Sequence, residues 1–178
     1  MALVIQSNPP VTGANSYSSL LAFKTRLDSQ LRVYAGKTDP QLEAALIAAT
    51  EYMDTRFNFI GYRVAADQAT EWPRQNAWDD RGDRVEGVPS QVIRACQEYA
   101  WRALTLVGGL APDPERDASG QSVMSKSSSV GPISESVTYA TAFATMPDYP
   151  QADRLLTSRG LVCKPSIGGF AVLNTARG

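Results

Sequence analysis

Two well-marked helical patterns lie between Thr38 and Leu106, separated by about thirty residues with no clear period, far longer than the usual connection inside a compact domain. Such a segment is either disordered or held down by its own side chains. Phe57, Phe59, Tyr62, Trp72 and Trp78 predict that it is held down. Before the loop, Thr38 or Asp39 caps a helix with Pro40 in its first turn, and Leu42, Ala45, Leu46, Ala49, Tyr52, Met53 and Phe57 form one apolar stripe. After it, Pro89 opens a helix whose stripe is Val92, Ile93, Cys96, Tyr99, Ala100, Ala103 and Leu104, ending before Gly108-Gly109.

A shorter helix precedes these two. Ser19 can cap it, Leu20, Phe23, Leu27 and Leu31 recur at three- and four-residue steps, and Gly36 is the expected stop. Ala2-Leu3-Val4-Ile5, ended by Asn8-Pro9-Pro10, suits a small strand or an extended arm. Beyond Pro112 and Pro114 the composition changes, with six serines among the eleven residues 119–129. Around Gly131-Pro132 the polar–apolar mixture predicts a two-stranded ribbon with a loose turn, marginal by itself and in need of another surface. Gln151 to Ser158 reads as a short helix with Leu155 and Leu156 inward, and Phe170 to Leu173 as a terminal strand.

The fold class expected is therefore mainly α: a small bundle of three main helices plus a short C-terminal helix, with a long ordered loop, a β-ribbon arm and an extended C-terminal tail. The divisions are residues 1–112 for the bundle and N-terminal arm, 113–147 for the ribbon arm, and 148–178 for the short helix and tail.

Seventeen basic against eighteen acidic residues give a net charge of −1, which removes the overall electrostatic drive of non-specific nucleic-acid binders. The chain has no window of about twenty apolar residues and no basic-then-apolar leader, so no membrane partner is expected and the protein reads as soluble and unexported. The absence of histidine rules out Ser-His-Asp and Cys-His nucleophile systems. Cys96 and Cys163 carry no metal or redox spacing and read as buried reduced thiols. No cofactor, no metal and no enzymatic activity are expected.

Gln68 and Trp72-Pro73-Arg74 are the candidate clasp of the loop. The indole would fill a hole above the bundle, Arg74 would bond carbonyls or a carboxylate, and Gln68 would satisfy loop amides. Asp67 with Glu71 is an acid–base candidate on weak spacing, the ordinary alternative being mutual pairing within the Asp54, Arg56, Arg63, Asp67, Glu71, Arg74 cluster. Asp79-Asp80, Asp83 and Glu86 lack the full calcium-loop pattern and read as a mobile acidic tip.

Gly13-Ala14-Asn15-Ser16-Tyr17 with Ser19-Leu20, the helix ending Ala48-Ala49-Thr50-Glu51-Tyr52-Met53-Asp54, then Phe57, Gly61, Gln68, Trp72-Pro73-Arg74, Val88-Pro89 and Val130-Gly131-Pro132-Ile133 resemble, in that order, the head-tail adaptor family of tailed bacteriophages. Some of its relatives carry a DnaT-like single-stranded-DNA-binding label, which supplies the rival function. The resemblance implies a structural virion protein at the head-tail interface, assembled in the host cytoplasm as a homo-oligomeric ring of about twelve copies beneath the portal protein. Its other partners would be a tail-side completion or tail-terminator protein, and genomic double-stranded DNA passing through the lumen without sequence-specific binding. The ribbon would cross a subunit boundary through Val123, Val130, Ile133, Val137 and Tyr139. Portal docking is expected from the tail, Leu161 to Gly178, with Phe170, Val172 and Leu173 as anchors.

Overall fold

The computed structural model describes residues 2–112, 123–129, 134–139 and 147–163. Its elements in order are α1 (Leu20–Ser29), α2 (Asp39–Arg56), β1 (Asn58–Phe59), β2 (Tyr62–Arg63), β3 (Arg74–Gln75), α3 (Ser90–Thr105), β4 (Val123–Ser129), β5 (Ser134–Tyr139), α4 (Pro150–Thr157) and β6 (Val162–Cys163). Helices dominate and the strands pair only two by two, so the fold is mainly α with a small ribbon. Among the described residues no helix is long and apolar enough to cross a membrane.

The helix starts follow from local chemistry. Ser19 Oγ accepts the Ala22 N–H at 3.1 Å, and Gln41 Oε1 reaches back to the Thr38 N–H at 2.9 Å, each occupying a donor that the first turn leaves free. The stop of α1 differs from the sequence expectation. The helix closes at Ser29, well before Gly36, because Leu31 turns to φ 53° and the Arg32 N–H returns to the Leu27 carbonyl at 3.0 Å. That is the Schellman closure with leucine where glycine usually stands. Leu31 leaves the predicted stripe and is 90% exposed.

α2 and α3 are the principal packed pair, and small residues make their close approach possible. Ala45, Ala49, Ala95 and Ala100 are buried there, and Thr50 Oγ1 lies 3.4 Å from the Cys96 sulfur. Around them Phe23, Leu27, Leu42, Leu46, Met53, Val92 and Tyr99 complete one core. Burial raises the Cys96 thiol to about 11, so it stays protonated. Cys163, by contrast, is exposed, against the expectation of two buried thiols.

Residues 147–163 belong to the same core. Arg56, at the end of α2, donates to the Pro147 carbonyl at 2.6 Å and to the carboxylates of Asp148 and Asp153 at 2.9 and 3.2 Å, and the Tyr99 hydroxyl also bonds Asp153. Ala152, Leu156, Leu161 and Val162 are buried, and β6 pairs antiparallel with β1, Phe59 opposite Val162. Leu161 to Cys163 therefore are not the start of a free tail. The side chains of Leu161 and Val162 are buried in the same core, beside β1.

The N-terminal arm is extended rather than a strand of its own. Ile5 makes an isolated parallel bridge to Ser16, and Asn15 Oδ1 accepts the Val4 N–H at 2.8 Å.

Candidate functional site

The long loop is ordered by a chain of polar contacts that begins outside it. Tyr17, from the segment before α1, donates its hydroxyl proton to Asp54 at 2.6 Å and accepts the Trp72 N–H at 3.1 Å. The second Asp54 oxygen accepts the Glu71 N–H at 3.1 Å. One carboxylate on α2 thus ties both the N-terminal segment and the loop to the helix. Burial, the largest cause, pushes the Asp54 carboxyl up to about 6, and the same burial with the nearby carboxylate pushes the Tyr17 hydroxyl well above its ordinary range, keeping it a donor.

Above this contact Trp72 is fully buried, edge-on to Phe59 with ring centroids 5.8 Å apart. The Trp72–Pro73 peptide is cis. Gln68 donates its amide to the Thr70 and Pro73 carbonyls at 2.7 and 3.1 Å and accepts the Ala65 N–H at 3.2 Å. Arg74 donates to the Ile60 and Gly61 carbonyls, both at 2.8 Å, and to the Glu71 carboxylate. Gly61 stands at φ 73° where a side chain would come within 2.5 Å of the Gln75 carbonyl, so β2 and β3 close on a residue that must be glycine. These polar groups are committed to the loop's own backbone. Glu71 is engaged by Arg74, and Asp67 is exposed and bonded to neither, so the two carboxylates do not form an acid–base pair.

Of the aromatic residues that suggested an ordered loop, Phe57, Phe59 and Trp72 are buried, whereas Tyr62 and Trp78 are exposed by 70% and 58%. The acidic tip is not a mobile one. Asp79 is buried, accepts the Arg81 and Asp83 N–H groups at 2.9 and 3.0 Å, and pairs with Arg159 at 2.9 Å, which fastens the tip to the end of α4. Among the described residues no cluster of acidic or cysteine side chains could hold a metal ion.

α2 presents an exposed ridge, Ala44, Ala48, Glu51 and Thr55, with a groove on each side. One groove, of about 600 Å³, has Ala45, Tyr52, Leu104 and Leu110 in its walls; the other, of about 400 Å³, is lined by Ala14, Ile47, Thr70 and Asp54. Nothing in the periodicity marked them, because a groove depends on what neighbouring elements leave uncovered.

β4 and β5 form an antiparallel ribbon, Val123 opposite Tyr139 and Lys126 opposite Val137, with an irregularity between Val123 and Ser125. It pairs with no other strand among the described residues. Val130 and Ile133, expected to reach a neighbour, lie outside the described residues, as do Phe170, Val172 and Leu173 of the expected docking tail.

No curated protein and no solved structure matches this chain. A family described as "Putative DnaT-like ssDNA binding protein" matches residues 1–178, the whole of it. The chain, a helical bundle fastened by Asp54 and an arginine-anchored loop, belongs to that DnaT-like family.

Proposed function

We propose that this protein is an assembly component, a head-tail adaptor whose copies form a ring beneath a phage portal, extend the DNA channel and link capsid to tail. The observation that carries the reading is the β4–β5 ribbon. Its two outer edges pair with no other strand among the described residues, and a two-stranded ribbon is marginal in water until another surface or strand covers it. Strand addition to a neighbouring copy would satisfy those edges by backbone hydrogen bonds. Contacts of that kind, closed into a ring, act at high effective concentration, so no single one need be strong. The ridge of α2 between its two grooves offers a second surface of the same use.

Removal of residues 113–146 tests the reading. The bundle should keep its helical spectrum, because the core residues among those described lie within 17–110 and 152–162. Mass photometry in the presence of portal protein should then find no ring where the full chain gives one, and a ring of unchanged mass would refute the proposal.

The family description favours a second reading, single-stranded-DNA binding. Such binding usually combines a basic groove with exposed aromatic platforms. Tyr62 and Trp78 are the aromatic side chains that the described bundle exposes, while Tyr17, Tyr52, Phe57, Phe59, Trp72 and Tyr99 are spent on the core. Among the described bundle residues, stacking therefore rests on those two side chains, and charge is the other source open to such binding.

A further inference from the structure

Glu98 on α3 is wholly buried, and three guanidinium groups close over it. Arg32, placed by the turn that ends α1, donates to both carboxylate oxygens at 2.8 and 2.9 Å. Arg102, one helical turn further along α3, approaches to 3.8 Å, and Arg26 of α1 to 4.0 Å. Arg94, one turn before Glu98 on the same line of the helix, is exposed. The Arg32 guanidinium also lies over the Trp101 ring, 5.3 Å from its centre, which fixes its plane.

Arg32 Nη2 by itself already reaches both oxygens of the buried carboxylate. Three arginines about one glutamate leave two positive charges uncompensated by it, and Arg94 adds another beside Arg26, on a molecule whose net charge is −1. Several other basic groups have local carboxylates: Arg56 with Asp148 and Asp153, Arg74 with Glu71, Arg84 with Glu86, Arg159 with Asp79, Lys24 with Asp39. Crowding like charges is unfavourable, and burial together with Arg32 and Arg94 loosens the proton of Arg26. The Nε–H groups of Arg26 and Arg102 are buried without an acceptor. Arg102 does reach Gln151 on α4 at 3.1 Å, and one turn beyond Gln151 stands the exposed Arg154.

The row from Arg94 to Arg102 runs about 12 Å along α3, two turns of helix. Phosphates of one strand recur every 3.4 Å or so along a duplex, so the row faces several in succession. A single small anion would meet one or two of these groups; a linear polyanion meets them together.

We infer that the face formed by α1 and α3 binds the sugar–phosphate backbone of nucleic acid, with Arg26, Arg94 and Arg102 donating to phosphate oxygens and the Arg32–Glu98 pair holding their scaffold. Recognition is of charge and spacing, independent of base sequence. The inference places the contact that the DNA-binding reading requires, and it stands whether or not the chain works in a ring.

Fluorescence anisotropy of the full chain with labelled oligothymidine, and with a duplex of the same length, tests it. Wild-type affinity should fall about twentyfold between about 50 and 200 mM salt, the response expected for some three phosphate contacts on a single strand. Arg94→Gln with Arg102→Gln should weaken binding about tenfold at the lower salt and reduce the slope of log affinity against log salt by about 1.5. Arg94→Lys with Arg102→Lys should retain most of the affinity, and Arg81→Gln with Arg84→Gln, on the loop tip outside the Glu98 cluster, all of it. A second pair, Arg94→Gln with Arg154→Gln, changes only exposed side chains and guards against a folding defect. Tighter binding of the oligothymidine identifies single strands as the ligand, and equal binding identifies the backbone of either form. Absence of salt-sensitive binding to both, or glutamine variants that bind like the wild type, would overturn the inference. Ring formation by the same variants, followed by mass photometry, separates this outcome from failure of the assembly reading.

Discussion

At the scale of single residues, conformation and burial pull apart in ways a pattern of apolar letters cannot express. Leu31 continues the three-and-four spacing of α1, yet it occupies the left-handed region and faces solvent. Its side chain contributes no packing and its backbone is strained. Leu31→Gly should therefore raise stability by about 1 kcal/mol, measured by urea unfolding, and a loss of stability would mean that the leucine is covered by a partner. Trp72 is the reverse case, with no exposed surface at all. Trp72→Ala should cost about 3 to 5 kcal/mol, and near-unchanged melting would place the indole's role outside the core. The residue types made a buried tryptophan and a carbonyl-binding arginine reasonable expectations for the loop. That Gln68 bonds Thr70 and Pro73, and Arg74 bonds Ile60 and Gly61, depends on the path of the chain between them.

At the scale of elements, the helices are legible because their signals are local. Thr38 with Gln41, Pro40 and Pro89 at the starts, and an apolar stripe turning towards one side, act within a few residues of themselves. The loop between α2 and α3 is legible only as a question, since its order comes from Tyr17 and Asp54, which lie far from it in sequence. Asp54 also makes that order sensitive to pH. Its carboxyl, raised from 3.8 to about 6, binds a proton more tightly in the folded state, so its contribution to stability is full below about pH 4 and is lost as the pH rises through 6. Between pH 7 and pH 4 the wild type should gain on the order of 2 kcal/mol relative to Asp54→Asn, by denaturant unfolding at each pH. Parallel curves for the two proteins would show that the carboxyl titrates normally.

At the scale of the molecule, the division into bundle, arm and tail meets the structure unevenly. Leu161 and Val162 look like the beginning of an apolar tail, but they close the core against Phe59. A truncation that tests portal docking through Phe170, Val172 and Leu173 must therefore begin after Cys163. Removing residues 164–178 should leave melting unchanged and abolish attachment to portal-bearing heads in a complementation assay, whereas removing 161–178 should also lower the melting temperature. Attachment by the shorter truncation would remove the tail from the docking proposal.

The sequence by itself determined the mainly α class, the places where α2, α3 and the short α4 begin, the two strands of the ribbon and the lack of histidine-based chemistry. Those depend on composition and on forces acting over one or two turns of chain. Only the tertiary structure decided which face each charge occupies. A net charge of −1 says nothing about local balance, and Arg26 and Arg32, some seventy residues before Glu98 in sequence, come within 4.0 and 2.8 Å of it only in the folded molecule. Charge is summed along a sequence but acts through space, so a neutral total can hide a basic face.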